Sequence, residues 1–319
     1  MTEPLSIVAF LDGRRGHEKQ TRGVLQALAV HTPIATQYRT LPPLSWVSAV
    51  RNWAAYTGAA VFGCKSASDS PADLIIGSGA YTHIPMLLLG KASGGKVVTC
   101  MSPDPLLIGK MDLCFVPSHD RTTPSDNIFV TTGPPNPTAF TDTHDPARGL
   151  MLVGGIDKGS HRWDSKAVAA QLESIVEKDP SIVWTISSSP RTPEDMNRLL
   201  DDLAANQPRV DFIRSEATPD GWIEDAYAQN QTVWVTADSI SMIFEALTAG
   251  CRVGLLPMQW KKKNSKFSDA ERHLIENGWV RTYDMWLSGN DGDIGSLRLD
   301  EADRCAKEIL KRWWPDRLP

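Results

Sequence analysis

No apolar run in this chain of 319 residues approaches the roughly 18 residues that a membrane-spanning helix needs. The N-terminal apolar run, residues 6–11, ends in Asp12, Gly13, Arg14 and Arg15. It lacks the basic start and small-residue cleavage site of a secretory signal. Cysteine is scarce: Cys64, Cys100, Cys114, Cys251 and Cys305 are scattered with no C-x-x-C pair, and no His/Cys spacing suggests zinc. Three of them, Cys100, Cys114 and Cys251, lie in or beside strand-like runs, which predicts buried reduced thiols. Positive charge is in deficit, 33 Lys+Arg against 38 Asp+Glu, so no broad basic field exists to hold a nucleic-acid backbone. The expectation is a cytoplasmic protein with no nucleic-acid partner.

What is present is ordinary globular composition: 41% hydrophobic and 22% charged residues, with 23 Gly and 22 Pro. Disorder, collagen and coiled coil are excluded on those figures. At about 100–200 residues per domain the length predicts two domains. Short β-rich runs alternate with amphipathic helical stretches, the pattern of parallel sheets covered by helices. A first set of strands is expected at 7–11, 34–38, 74–77, 96–101, 113–117 and 128–131, with helices after the first and third. The polar, Pro-rich stretch 133–146 reads as a linker. Beyond it a second set of strands is expected at 150–154, 182–186, 210–213, 232–236 and 253–256. Helices alternate with them near 166–178, 193–205, 222–229, 241–249 and 268–277. The domains are read as 1–140 and 148–319. The last helix, 301–314, carries Ala302, Cys305, Ala306, Ile309 and Trp313 on one face, and either crosses back to the first domain or covers its own sheet.

Open α/β sheets bind ligands at the carboxyl ends of their strands, and several loops there carry chemistry. Residues 12–20 bring Gly13, Gly16, His17, Glu18 and Gln20 into one turn and helix start. Gly77-Ser78-Gly79 opens another helix, but Thr82 stands where a dinucleotide fingerprint requires its third glycine, so a Rossmann dehydrogenase is disfavoured. Gly154 and Gly155 follow the first strand of the second set. Ser188, Arg191 and Thr192 follow the next strand, where a guanidinium can fork onto phosphate oxygens and where the same residues also serve as ordinary helix capping. In the run from Thr236 through Asp238, Ser239 and Ser241 to Glu245, a helix start would offer amides and hydroxyls to phosphate. A carboxylate one turn on would hold ribose hydroxyls. An N-cap serine followed by an exposed glutamate would have the same spelling.

The segments DGRRGHEKQ, PADLIIGSGAYT, DLCFVPSHD, LMLVGGIDKG, SSSPRTP, VTADSISMIFEA and NSKFSDAERHLIENGWV span most of the chain. Together they resemble inverting glycosyltransferases of the GT-B type, and more closely the mitochondrial-fission Elm-type family. That family is a set of glycosyltransferase-like proteins also labelled nucleoside-diphosphate-sugar epimerases. The resemblance implies an α/β fold of two Rossmann-like domains facing across a cleft, the second holding a nucleotide-sugar and the first meeting a sugar or lipid-linked acceptor. By matching position, Ser239, Ser241 and Glu245 would bind donor diphosphate and ribose, with Ser188, Arg191 and Thr192 close by. His17, Glu18, His119 and Asp120 would line the cleft. One departure is Gly133-Pro134-Pro135-Asn136, where a more basic residue is expected.

Inverting transfer needs a base for the acceptor proton, here His17, or His119 oriented by Asp120. Helix amides, Ser241 and Arg191 would take the leaving charge without metal and without a cofactor. Asp291-Gly292-Asp293 has the spelling of a metal motif but no strand before it, and reads as a solvent-facing turn. Lys261-Lys262-Lys263 with Lys266 would meet a donor phosphate, an anionic lipid surface as a peripheral membrane contact, or only water. Epimerisation of the nucleotide-sugar, and a non-catalytic nucleotide-binding interaction protein, stay open beside transfer.

Overall fold

The computed structural model describes residues 2–42, 71–120, 122–262, 265–289 and 298–318. Cys64, Lys263 and the 291–293 turn lie outside these. The chain divides into two compact units, Met1–Pro137 with Asp300–Pro319, and Thr138–Leu299.

In the first unit the strands and helices are β1 (Leu5–Leu11), α1 (Arg15–His31), β2 (Ile34–Thr40), β3 (Leu74–Gly77), α2 (Ala80–Ser93), β4 (Lys96–Thr99), α3 (Pro105–Ile108), β5 (Leu113–Pro117) and β6 (Ile128–Thr131). All pairings are parallel, in the order β2-β1-β3-β4-β5-β6. A parallel strand covered on both faces reads as a near-continuous apolar run, as β1 does apart from Ser6. Its alternation then divides the core. Ile7 and Ala9 join Val24, Leu25 and Leu28 of α1, while Val8 and Phe10 join Ile84, Met86 and Leu87 of α2.

The closing helix, α10 (Glu301–Trp313), belongs to this unit. Its buried residues Ala302, Cys305, Ala306, Ile309 and Leu310 follow helical spacing, and the last four enter the same core as α1. His31 Nε2 meets Asp303 Oδ1 at 2.6 Å, and Arg317 donates to Glu3 O at 2.8 Å and Thr32 Oγ1 at 3.1 Å. Of the two readings of this helix, the return to the first domain is the one observed. The second unit accordingly ends at Leu299, where the sequence reading ran it to 319.

The second unit contains β7 (Asp145–Leu152), β8 (His161–Arg162), α4 (Ser165–Lys178), β9 (Val183–Ser187), α5 (Glu194–Asn206), β10 (Val210–Ile213), α6 (Trp222–Gln229), β11 (Asn230–Thr236) and α7 (Ile240–Ala249). β12 (Arg252–Leu256), β13 (Gln259–Trp260), α8 (Lys266–Glu276), β14 (Arg281–Thr282) and α9 (Tyr283–Leu287) follow. Its six-stranded parallel sheet runs β10-β9-β7-β11-β12-β14, and β8 pairs antiparallel with β13. One face packs Leu150, Val233 and Val253 against α6 and α7, the other Met151, Trp184 and Trp234 against α4 and α5. The stretch read as linker ends inside a strand. β7 starts at Asp145, whose partner is Asn230 of β11.

Cys100, Cys114, Cys251 and Cys305 are buried and free. Burial pushes the thiols of Cys114 and Cys251 up to about 12 and those of Cys100 and Cys305 above the usual thiol range, so they pack as small apolar groups. Among the described residues no helix is long and apolar enough to cross a membrane.

Two stability predictions follow from the first unit's core. Ile309 is fully buried between α10 and the sheet, so Ile309→Ala should lower the unfolding free energy by about 2–5 kcal/mol in urea titration. A loss under about 0.5 kcal/mol would mean that α10 is not part of this core. His83 of α2 is 1% exposed, with Nε2 3.1 Å from Thr99 Oγ1. Burial, reinforced by neighbouring His17, lowers its pKa to about 4. The unfolded chain therefore takes up this proton first as pH falls. The stabilisation is complete above about 6.5 and is lost between about 6.5 and 4, roughly 3 kcal/mol in all. His83→Gln should abolish that part of the acid sensitivity between pH 7 and pH 4.5; an unchanged slope would refute the assignment.

Candidate functional site

The second sheet's six strands, numbered in chain order within the sheet, run 3-2-1-4-5-6. Its order therefore reverses between β7 and β11. At such a reversal the loops leaving the two strands diverge to opposite faces and open a crevice at their carboxyl ends. Gly154 and Gly155 leave β7 there, and Asp238 and Ser239 leave β11. Arg191 and Thr192 arrive from the neighbouring β9 loop.

These three loops are fastened atom by atom. Gly154 N–H donates to Thr236 Oγ1 at 2.7 Å and Ile156 N–H to Arg191 O at 3.0 Å. The Thr192 hydroxyl donates to Gly154 O at 2.5 Å and accepts from Ser189 N–H at 2.8 Å. Asp238 Oδ2 accepts from Gly155 N–H at 3.3 Å, from Arg191 Nη2 at 2.9 Å and from Ser239 Oγ at 3.4 Å. A Cβ at Gly154 would stand 2.4 Å from the Asp238 carboxylate, and one at Gly155 would stand 2.0 Å from Arg191 O. No side chain fits at either place.

The electrostatics are uneven. The Asp238 side chain is 1% exposed and its Oδ1 has no hydrogen-bond partner, whereas the Arg191 side chain is 44% exposed. Asp238 thus fixes the guanidinium by one edge and leaves the rest of the fork in solvent. Ser239 is the N-cap of α7 but makes no side-chain cap, because its hydroxyl turns to Asp238. The α7 N-terminus is therefore left with its partial positive charge and no side-chain acceptor from its own cap.

The other residues expected here take different places. Ser188 is buried and its Oγ accepts from Ser215 N–H at 3.1 Å, a loop fastening. Ser241 is half-buried in the first turn of α7. Glu245, one turn on, is only 3% exposed, and Tyr227 Oη donates to its Oε2 at 3.5 Å. The exposed-glutamate reading is thereby corrected. Burial, together with the Glu245 carboxylate beside it, raises Tyr227 well above the usual phenol range.

The first sheet reverses between β1 and β3. Asp12 leaves β1 with its side chain 1% exposed, and its Oδ2 lies 2.7 Å from His17 Nδ1 at the start of α1. An ionised carboxylate only accepts, so Nδ1 carries a proton, and in the neutral imidazole the lone pair is then on Nε2. Gly79, leaving β3 with φ of 106°, comes so close that a Cβ would stand 2.2 Å from Asp12 and 2.6 Å from His17. Asp12 was missed as a site residue because its pairing with His17 spans five positions through a turn.

Glu18 is engaged locally: Oε1 accepts from Gly13 N–H at 3.1 Å, and Oε2 lies 3.9 Å from Arg22. His119 and Asp120 sit half-buried on a 3-10 turn after β5. β5 stands three strand positions from β1, about 14 Å along the sheet.

Solved structures share this architecture. S. aureus MnaA with UDP matches at TM-score 0.62 and 11% identity, over 98% of this chain and 98% of that chain. UDP-GlcNAc 2-epimerase from Neisseria meningitidis bound to UDP-GlcNAc matches at 0.57 and 12%, over 97% and 99%. The glycosyltransferase SnogD from Streptomyces nogalater matches at 0.53 and 13%, over 97% and 96%. At these identities the likeness is one of fold, a GT-B-like pair of Rossmann-like domains that epimerases and glycosyltransferases share. No curated protein matches the chain in sequence. Matched over residues 15–313, the chain belongs to the family described as mitochondrial fission ELM1.

Proposed function

We propose that the protein is an inverting glycosyltransferase that draws on a nucleoside-diphosphate sugar. The observation that carries this reading is the β7–β11 reversal. There, a half-exposed guanidinium held by Asp238 and the side-chain-uncapped start of α7 stand beside two glycines that admit no side chain. Such a place suits a diphosphate, which gains charge as the sugar leaves. A nucleoside diphosphate or its sugar is also what solved proteins of this fold hold, UDP in one and UDP-GlcNAc in another.

In the proposed step His17 Nε2 takes the proton of an acceptor hydroxyl. The oxygen's electron pair forms the new bond to the anomeric carbon, and the bond from that carbon to the β-phosphate oxygen breaks. The nucleoside diphosphate departs with that pair, its charge met by Arg191 and the α7 amides. Asp12 holds the imidazole in the reactive tautomer and stabilises the imidazolium that forms. The acceptor, a sugar or lipid-linked hydroxyl, belongs to the first unit's share of the work. Epimerisation is the second reading. It rests on the same diphosphate site and differs in the fate of the donor.

Three measurements test the proposal. UDP at about 100 times its Kd should stabilise the full chain by roughly 2.7 kcal/mol in thermal denaturation. Arg191→Gln should remove most of that gain. Asp12→Asn should keep it while slowing transfer by about a hundredfold or more. Acceptor-dependent release of free diphosphate, unaffected by a chelator, supports transfer, whereas an isomeric nucleotide-sugar supports epimerisation. If no nucleoside diphosphate or nucleotide-sugar stabilises the protein, the proposal fails and a role without nucleotide takes its place.

A further inference from the structure

Between β7 and α4 the chain makes an excursion, residues 156–164, that the phosphate-facing glycines do not require. Its two-residue strand β8 pairs with β13, placing His161 opposite Trp260 and Arg162 opposite Gln259. Beside it lies an open pocket of about 610 Å³ lined by Lys158, Arg162, Lys166 and Lys261. Two carboxylates, Asp164 and Asp195, share the lining. Asp164 is already engaged as the N-cap of α4, accepting from Ala167 N–H at 3.1 Å. Among the described residues none of the four cations forms an ion pair. Lys261 Nζ donates to Lys158 O at 2.6 Å, which holds the two lysines together instead of neutralising them.

A second observation comes from His161, which also lines the pocket. It is 3% exposed and wedged edge-on between Trp163 and Trp260, with ring centroids 6.2 and 5.9 Å away. Nδ1 lies 2.8 Å from Ser160 Oγ, but Nε2 is buried without a hydrogen-bond partner. Leaving such a group unmatched is costly, so a partner from outside would be welcome. When Ser160 donates to Nδ1, Nε2 carries the proton and seeks an acceptor. Ile156, Trp163 and Pro193 supply apolar wall, and the volume far exceeds one phosphate ion.

We propose that this pocket binds a phosphorylated ligand of sugar size, its phosphate met by Arg162, Lys158, Lys166 and Lys261 and its body lying against Trp163 and Pro193. The site uses none of Arg191, Asp238 or Ser239 and stands or falls independently of the nucleotide reading. The shared chemistry is a phosphomonoester on a small polar body, whether a free sugar phosphate or the headgroup of an anionic lipid.

The test titrates the full chain at fixed ionic strength with glucose 6-phosphate and with inorganic phosphate, by calorimetry. Imidazole NMR follows alongside, with the His161 signal assigned from His161→Gln and His17 as an internal control. Saturable binding that moves the His161 signal and leaves His17 in place is expected. The exposed pair change Arg162→Gln with Lys261→Gln should weaken it about tenfold or more while the thermal response to UDP persists. Lys158→Gln provides a second variant, weaker in effect. Sedimentation with phosphatidylcholine vesicles carrying phosphatidic acid separates the sources. Co-sedimentation that glucose 6-phosphate displaces and the double variant loses assigns a lipid headgroup; binding of the soluble phosphate without co-sedimentation assigns a free sugar phosphate. Absence of saturable binding to all three probes, or binding indifferent to Arg162, Lys261 and Lys158, overturns the proposal. Loss of the UDP response alone would leave this site standing.

Discussion

A single carboxylate oxygen organises the second unit's ligand end. Asp238 Oδ2 draws together an amide from the β7 loop, the guanidinium from the β9 loop and the hydroxyl that precedes α7. A charge buried this deeply is tolerable only when its partners are held in place, and here each partner belongs to a loop that would otherwise be free to move. The arrangement has two consequences. Arg191 is aimed without being spent, and Ser239 is turned away from capping its own helix, which leaves that helix start open to an anion. The glycines at 154 and 155 are the steric counterpart, since any side chain there would separate the loops that Asp238 joins.

The first unit repeats the device with different chemistry. Another buried aspartate, Asp12, stands at another reversal of strand order and fixes a partly exposed group, this time an imidazole, against a glycine of positive φ. One unit thus presents a held guanidinium and a helix start; the other presents a held imidazole. The proposed transfer would draw on both: charge stabilisation for the departing diphosphate and proton removal from the incoming hydroxyl. Membership of the mitochondrial fission ELM1 family and the GT-B-like fold are consistent with such an enzyme without specifying its reaction.

Much of this was legible in the residues. Strands buried on both faces are continuous apolar runs, so β3 and β5 fall where the sequence placed them; the partly buried edge strands β6 and β10 do so as well. The start of β7 did not, because residues 145–148 pair through the backbone while their side chains stay exposed and carry no hydrophobic signal. The pair β8 and β13 is too short for any periodicity. At the site, spacing identified the loops that matter but not the bonds between them. Ser188 and Thr192 have the spelling of ligand hydroxyls, yet tertiary contacts use them as fasteners. Glu245 lies on the face read from the sequence, where packing against Tyr227 buries it. The Asp12–His17 pairing escaped for the complementary reason, since a carboxylate and an imidazole five residues apart meet only when a turn folds one onto the other.

The central claim is positional: the diphosphate of the donor rests on α7's first turn beside Arg191. A crystal structure of the full chain soaked with UDP examines it most directly. The account predicts β-phosphate density within hydrogen-bond distance of the amides at the start of α7 and of the Arg191 guanidinium, with the Arg191–Asp238 pair intact. Density for UDP elsewhere on the molecule, with that place occupied only by water, would contradict it.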